Sequence, residues 1–168
     1  MKKIITVVGL CLILVSVLNA KGIKRSRRYL FELGPKANLY IGDEVRIGIG
    51  AEVVVNPLST FGLRMELTEL VVGGNTSFYL NNNGSIDALI PIPMRDLAPY
   101  IHAGFGFNVI DTGAGSQTIF SIRAGMGIDY PISPGTKLFF EPGIIISGNG
   151  DTKATFRLSF GGRFGVLR

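Results

Sequence analysis

The sequence predicts an all-β protein, an eight-stranded antiparallel up-and-down barrel that crosses a membrane, and three observations lead to this prediction. Apolar and polar residues alternate along eight segments, as they do in strands that have one apolar and one polar face. The polar faces combine charged residues with many of the 23 glycines, which suit a narrow interior better than a solvated surface. After Ala20, no stretch is apolar for long enough to form a membrane helix, so a membrane location requires a closed barrel.

The N-terminus is predicted to be a signal peptide that comprises residues 1–20. Two lysines precede an apolar run at residues 4–18, which is shorter than the roughly 18 to 20 residues of a spanning helix. Small residues permit cleavage after Ala20 or after Gly22. The alternative is an uncleaved anchor helix, which the short apolar run disfavours.

Residues 21–28 form a basic tail, and residues 29–168 form the predicted barrel domain. The tail carries five lysines and arginines, which either contact anionic lipid headgroups or are solvated. No aromatic cluster or recognition fold accompanies these charges, so nucleic acid is not an expected partner. Cys11 is the only cysteine and lies in the signal peptide, so the mature chain has no disulfide or thiolate metal site.

The eight predicted strands follow in order, and each alternating segment ends where turn-forming residues begin. The segments span residues 29–41, 45–55, 61–71, 86–94, 101–109, 120–130, 138–146 and 154–166. The connections between them are residues 42–43, 56–59, 73–85, 95–99, 111–117, 131–135 and 148–151. Such short and evenly spaced strands indicate a sandwich or a barrel.

The chemistry of the two faces favours a barrel with lipid outside. Among the apolar faces, Glu69 is the only charged residue. A soluble barrel would have the opposite arrangement, with its apolar side chains within. The opposite faces carry a predicted lumen charge network: Glu32, Lys36, Arg46, Glu52, Arg64, Glu66, Asp87, Arg95, Arg123, Asp129, Glu141, Arg157 and Arg163.

The connections alternate in composition, which predicts the orientation of the barrel. The second, fourth and sixth connections are short and contain proline, whereas the others are rich in Gly, Asn, Asp and Ser. Short turns on the periplasmic side and polar loops outside are typical of bacterial outer-membrane barrels. The predicted aromatic girdles contain Tyr29, Phe61, Tyr130 and Phe164 at the periplasmic rim, and Phe120 and Phe156 at the other rim.

Two strands carry motifs with a family resemblance. Residues 99–107 (PYIHAGFGF) and 124–130 (AGMGIDY) resemble the "PYxGxGxG" and "AGxGxxY" strands of small outer-membrane barrels. The chain is therefore similar to the OmpA/OmpX-like and opacity-type, porin-like proteins. The resemblance implies a surface protein in the outer membrane of a Gram-negative-type envelope. Its expected partners are outer-membrane lipid and the barrel assembly machinery, although the chain ends after Leu167 in Arg168 rather than in the usual aromatic residue.

The lumen charges favour a structural or surface-interaction role. Seven of the thirteen are positive and six are negative, so they are expected to pair and plug the lumen, since an unpaired buried charge is costly. An ion-selective pore would have a lining of one sign. The alternatives are a narrow channel for small or apolar solutes and a lipid A-modifying enzyme.

No catalytic, cofactor-binding or metal site is predicted. The single histidine, His102, is expected to face the lumen near its periplasmic end, away from the lipid-facing outer rim where lipid A chemistry would occur. The candidate surface-contact segment is Phe78, Tyr79 and Leu80 in the connection 73–85. These residues either anchor an unidentified surface or envelope partner, or extend the neighbouring strands.

Overall fold

The protein forms a closed antiparallel β-barrel. The structure, a computed structural model, describes residues 29–67, 69–73, 76–94, 98–111, 116–149 and 151–167. These residues form nine strands: β1 (Phe31–Ile41), β2 (Val45–Leu58), β3 (Phe61–Glu66), β4 (Glu69–Gly73), β5 (Thr76–Pro91), β6 (Ala98–Asp111), β7 (Ser116–Ser133), β8 (Thr136–Asn149) and β9 (Asp151–Leu167). The last strand pairs with the first, which closes the sheet.

The nine strands occupy eight positions in the barrel, because β3 and β4 are two halves of one position. Both halves pair with β2 on one side and with β5 on the other. The remaining neighbours follow one another in sequence, which is the up-and-down topology. The predicted fold class, an eight-stranded antiparallel barrel, is confirmed.

The exterior of the barrel is a belt of apolar side chains. Phe105 is 73% exposed and Phe120 is 71% exposed, and aliphatic residues on the same outward face are also exposed. An exposed apolar surface of this extent has no place on a soluble monomer, but it suits the hydrocarbon of a bilayer. A membrane-crossing strand needs about 9–11 residues, and the 11 residues of β1 meet this requirement.

Among the described residues, no helix has the length and apolar character needed to cross a membrane.

Two proline-containing connections are shorter than predicted, because the strands run into them. Strand β2 continues to Leu58, and β7 continues to Ser133. Both extensions coincide with register shifts, one between Val55 and Leu58 and one between Pro131 and Ser133. A proline cannot donate a ladder hydrogen bond, and an irregular position tolerates this loss. The turns that remain are residues 59–60 and 134–135.

The predicted polar connection 73–85 is instead mostly strand. Gly73 has a φ of 132°, which favours glycine, and β5 begins at Thr76. Phe78, Tyr79 and Leu80 therefore lie in a strand, where Tyr79 is opposite Val71 of β4. The first part of this polar segment pairs with β4, and the part from Asn82 onward pairs with β6. These backbone hydrogen bonds make the segment a strand, although its polar composition indicated a loop.

The third barrel position contains an irregularity that reverses the predicted face of Glu69. Glu66 lies opposite Glu52, and Leu70 lies opposite Ile49. Between these two pairs the third position advances by four residues, whereas β2 advances by only three. A shift of one residue sends every following side chain to the other face. Glu69 is consequently buried in the lumen instead of facing lipid.

Tyr29 also differs from its predicted place in the aromatic girdle. Its ring lies over the lumen side of Gly165, where an added Cβ would be 2.1 Å from Tyr29 Cγ. Gly165 shares the inward face of β9 with the buried Arg163. The ring therefore turns towards the periplasmic end of the lumen, where it covers backbone that has no side chain.

Some predictions fall on residues that the structure does not describe. The signal peptide at 1–20, the basic tail at 21–28 and the lumen residue Arg95 lie outside the described residues.

We predict that an arginine in the apolar belt destabilises the barrel according to its depth. Ile86 and Val45 are 58% and 59% exposed. Ile86 lies between Met65 and Phe105 in the middle of the belt, whereas Val45 begins β2 beside the turn 42–44. Ile86→Arg should lower the free energy of unfolding by about 2–4 kcal/mol, and Val45→Arg by about 0–1 kcal/mol.

Reversible urea unfolding in lipid vesicles measures both variants. Equal losses at the two positions would contradict a belt that is immersed in hydrocarbon.

Candidate functional site

The lumen is the candidate functional site, because it gathers the charged side chains of the barrel. Arg64, Asp87 and Glu141 are fully buried, with 0% of each exposed. Arg46 is partly buried at the outer end. The other predicted lumen residues that the structure describes are also buried: Glu32, Lys36, Glu52, Glu66, Arg123, Asp129, Arg157 and Arg163.

Arg64 lies at the centre of the lumen and has acidic partners from several strands. Its Nε and Nη2 donate to Asp87 Oδ2 at 3.0 and 2.7 Å, and its Nη1 donates to Glu141 Oε2 at 2.5 Å. Carboxylates of Glu52 and Glu66 lie 3.8 and 3.6 Å away. Arg64 therefore connects β3 to β2, β5 and β8 through charge-assisted hydrogen bonds and ion pairs.

On the outer side of Arg64, a second group of ion pairs is centred on Glu66. Lys36 Nζ is 2.5 Å from Glu66 Oε1, and Arg157 Nη1 donates to the same oxygen at 2.9 Å. The Nη1 of Arg123 donates to Glu66 Oε2. Arg157 also donates to Glu141 Oε1 at 2.9 Å, which joins this group to the centre.

On the side of the short turns 59–60 and 134–135, Arg163 and Lys137 continue the series of ion pairs. Arg163 donates to Glu52 Oε1 at 2.5 Å and to Asp129 Oδ1 at 2.7 Å. Lys137 Nζ then lies 2.8 Å from Asp129 Oδ2 and 2.8 Å from Glu32 Oε2. Lys137 is therefore a lumen residue that the sequence analysis missed, although it shares a strand face with Glu141.

Two buried aromatic residues complete the periplasmic part of the lumen, and the sequence analysis assigned neither of them to it. The Arg163 guanidinium stacks 4.2 Å from the centre of the Phe139 ring and 5.2 Å from that of Tyr100. Tyr100 Oη donates to Glu141 Oε2 at 2.8 Å and accepts a hydrogen bond from Arg163 Nη2 at 3.2 Å. The sequence could have placed Tyr100 in the lumen, because residues 100 and 102 are two apart on one strand and their side chains therefore lie on the same face.

His102 is buried between Arg64 and Glu141 and faces the lumen, as expected for a residue on this strand face. Its Nδ1 is 3.3 Å from Arg64 Nη2, and its Nε2 is 3.3 Å from Glu141 Oε1. Neither neighbour is a nucleophile of the kind that acyl transfer requires. Within the described part of the chain, no group of three or more His, Cys, Asp and Glu side chains is placed to hold a metal ion.

Glu69 forms a separate polar cluster further out. It accepts a hydrogen bond from Asn38 Nδ2 at 2.6 Å and another from Tyr40 Oη at 2.7 Å. An added Cβ at Gly48 would be 1.8 Å from Glu69 Oε1, so only glycine leaves space for the carboxylate. Beyond this cluster the lumen widens into a cavity of about 660 Å³.

The arrangement as a whole is a continuous series of ion pairs that runs along the lumen from Lys36 to Glu32. Among the described residues, charged side chains from seven of the eight strand positions contribute to it, and β6 joins it through contacts of His102 and hydrogen bonds of Tyr100. Opposite charges in a low-dielectric interior stabilise one another only when their geometry is good and their hydrogen bonds are made. Most of these contacts are between 2.5 and 3.0 Å, although buried atoms such as Asp87 Oδ1 and Arg157 Nε have no hydrogen-bond partner among the described residues.

Comparisons with known proteins agree with this architecture. A family described as "Surface antigen" matches residues 71–143. The crystal structure of the N-terminal β-barrel domain of Pseudomonas aeruginosa OprF is 16% identical, with a TM-score of 0.55, and the match covers 80% of this chain and 96% of that one. Neisserial surface protein A is 15% identical, with a TM-score of 0.63, and the match covers 81% of this chain and 97% of that one. No protein with curated information matches the sequence.

The expected resemblance to small outer-membrane barrels is confirmed at the level of the fold. An apolar exterior on a closed barrel is the architecture of bacterial outer-membrane proteins. Together with the surface-antigen match, it places the chain in the bacterial outer membrane, as predicted. The chain is a membrane barrel with a surface or structural role.

We predict that removal of the central arginine destabilises the barrel strongly. Arg64→Met leaves the buried carboxylates of Asp87 and Glu141 without their shared partner, which should lower the free energy of unfolding by about 3–5 kcal/mol. The matched control is Lys153→Met, which removes an exposed ion pair of 3.0 Å with Asp43 and should cost about 0–1 kcal/mol.

Urea unfolding of both variants in vesicles provides the comparison. If Arg64→Met proved as stable as Lys153→Met, the central ion pairs would not contribute to the stability of the barrel.

Proposed function

We propose that this protein of the bacterial outer membrane, a small β-barrel, has a structural or surface-interaction role and that its lumen is plugged by its own charged side chains. The observation that carries the proposal is the series of ion pairs from Lys36 to Glu32, to which seven of the eight strand positions contribute charged side chains and β6 contributes Tyr100 and His102. Arg64 extends across the lumen from β3 to Glu141 on β8, and Arg163 extends from β9 to Glu52 on β2.

A narrow channel for small or apolar solutes is the first alternative. A conducting lumen needs a continuous path that water can fill, and an ion-selective one has a lining of a single sign. Here the buried arginines alternate with carboxylates, and Tyr100 and Phe139 fill the space beside Arg163. These contacts favour a plug over a channel.

A lipid A-modifying enzyme is the second alternative. Such chemistry requires a base and a nucleophile or an orienting carboxylate at the lipid-facing outer rim. His102 is instead 3% exposed and lies in the lumen between Arg64 and Glu141. The position of this base favours a non-enzymatic role. Lipid A mass spectrometry of cells that express the chain tests this, and new or missing acyl chains would support the enzyme.

A surface-interaction role draws on the outer end of β5. The surface-antigen match at residues 71–143 contains Phe78, Tyr79 and Leu80. These residues lie at the end of β5 that is remote from the short turns 59–60 and 134–135. Short turns face the periplasm in this class of barrel, so this end of β5 would face the outside. A surface or envelope partner would contact this end of β5, while lipid surrounds the belt and the assembly machinery inserts the barrel.

We predict that the wild-type barrel is silent in planar-bilayer conductance recordings. The double variant Arg64→Ala with Arg157→Ala should conduct, because it removes the two side chains that meet at Glu141 in the middle of the lumen. A heat-dependent shift in gel mobility verifies that both proteins are folded. Steady conductance of the folded wild type would favour the channel, and liposome swelling would then define the solute size.

We also predict the topology from cysteine labelling, for which the mature chain is suited because Cys11 lies in the predicted signal peptide. On intact cells, a membrane-impermeant maleimide should label Tyr79→Cys. It should label Pro134→Cys only after the outer membrane is permeabilised, because that turn is periplasmic in the proposed orientation. The opposite pattern would invert the orientation and remove residues 78–80 from the cell surface.

A further inference from the structure

The outer end of the lumen is a cavity that the ion pairs do not fill. Its volume is about 660 Å³, within the range of roughly 300–1,000 Å³ that is typical of small-molecule sites. It is lined by β1, β2, β4, β5, β6, β7, β8 and β9 and by the turn 42–44. This end is opposite the short turns 59–60 and 134–135, so the cavity faces the extracellular side.

The charges on the cavity wall are mainly positive. Arg46, Arg123 and Lys153 line it, and the acidic lining residues among the side chains that the structure describes, Asp43 and Glu44, belong to the exposed turn at its rim. The acidic members of the ion-pair series, such as Glu141, do not line it. Lys153 pairs with Asp43 at the rim at 3.0 Å, so the cationic groups that a solute meets inside the cavity are Arg46 and Arg123, which favour an anion.

Two buried polar atoms at the cavity have no partner among the described residues. Arg123 is 6% exposed and uses Nη1 for Glu66 and Ser85, while its Nε makes no hydrogen bond. The Oδ1 of Asn108 is also buried and unpartnered. Buried polar groups are rarely left unpaired, so each unsatisfied atom calls for a ligand or a water molecule. One is a donor and the other an acceptor.

The remaining polar lining consists of hydroxyl groups. Ser121, Ser147 and Thr155 lie on the inward faces of three neighbouring strands, and the apolar residues Ile119, beside Ser121 on β7, and Val71, on β4, line other parts of the wall. Hydroxyl groups donate and accept hydrogen bonds, which is the pairing that sugar hydroxyls require. Guanidinium groups bind phosphate oxygens through charge-assisted hydrogen bonds.

We infer that this cavity binds a small soluble sugar phosphate from the extracellular side. The phosphate lies towards Arg123 and Arg46, and the sugar hydroxyls lie against Ser121, Ser147 and Asn108. The charged and hydroxyl groups named for the ligand lie on inward strand faces, so they suit a soluble molecule that enters the lumen rather than a lipid headgroup. The inference depends on the cavity alone and holds whether or not the lumen beneath it conducts.

Isothermal titration calorimetry of the folded full-length barrel in detergent micelles tests the inference. Glucose 6-phosphate should bind saturably to one site, and glucose and inorganic phosphate should each bind about tenfold more weakly or worse. Arg46→Gln should lower the affinity for glucose 6-phosphate by about tenfold, because it removes a charged hydrogen bond to the ligand. The absence of saturable binding, or equal affinity for glucose, would overturn the inference.

A pair of tryptophan variants on adjacent residues locates the site. Ser147→Trp fills the cavity from its wall and should abolish binding. Ile146→Trp is the matched control, because Ile146 is 47% exposed on the lipid-facing side of the same strand and should leave affinity unchanged. Neither substitution touches the ion-pair series. If Ser147→Trp bound glucose 6-phosphate as well as Ile146→Trp does, the ligand would lie elsewhere and the inference would fail.

Discussion

Hydrocarbon cannot solvate an ion or an unpaired backbone group, and this barrel is arranged around that constraint. Closure of β9 on β1 leaves no strand edge exposed to lipid. The same closure creates a lumen in which Arg64 finds Asp87, Glu141 and Glu52 within reach. Because the partners come from different strands, correct strand register and correct charge pairing require each other, and each stabilises the other.

Glycines on the inner wall allow large side chains to cross this narrow lumen. His102 Nε2 lies 2.5 Å from where a Cβ at Gly125 would be, and the Phe139 ring lies 2.8 Å from the corresponding point at Gly161. A larger residue at either position would displace the buried side chain opposite. The high glycine content of the polar faces therefore reflects the space that the ion pairs and aromatic rings occupy.

The lumen has two parts with different consequences for function. Towards the short turns 59–60 and 134–135, Arg163 stacks on Phe139 and Tyr100 and pairs with Glu52 and Asp129. Towards the outside, beyond Glu69, the wall consists of hydroxyl groups and cations around a cavity. The series of ion pairs supports the proposed structural role, and the cavity suits the proposed recognition of a solute.

Alternation along the chain predicted most of the strands, the inward face of most charges and the outward face of most apolar residues, because it is a local property with a period of two. The exceptions and the pairing partners depend on contacts between strands that are distant in sequence. A one-residue shift turned Glu69 inward, and alternation cannot reveal a shift that depends on the neighbouring strands. Glu52 and Arg163 meet across 111 residues of sequence, because barrel closure alone places them opposite each other.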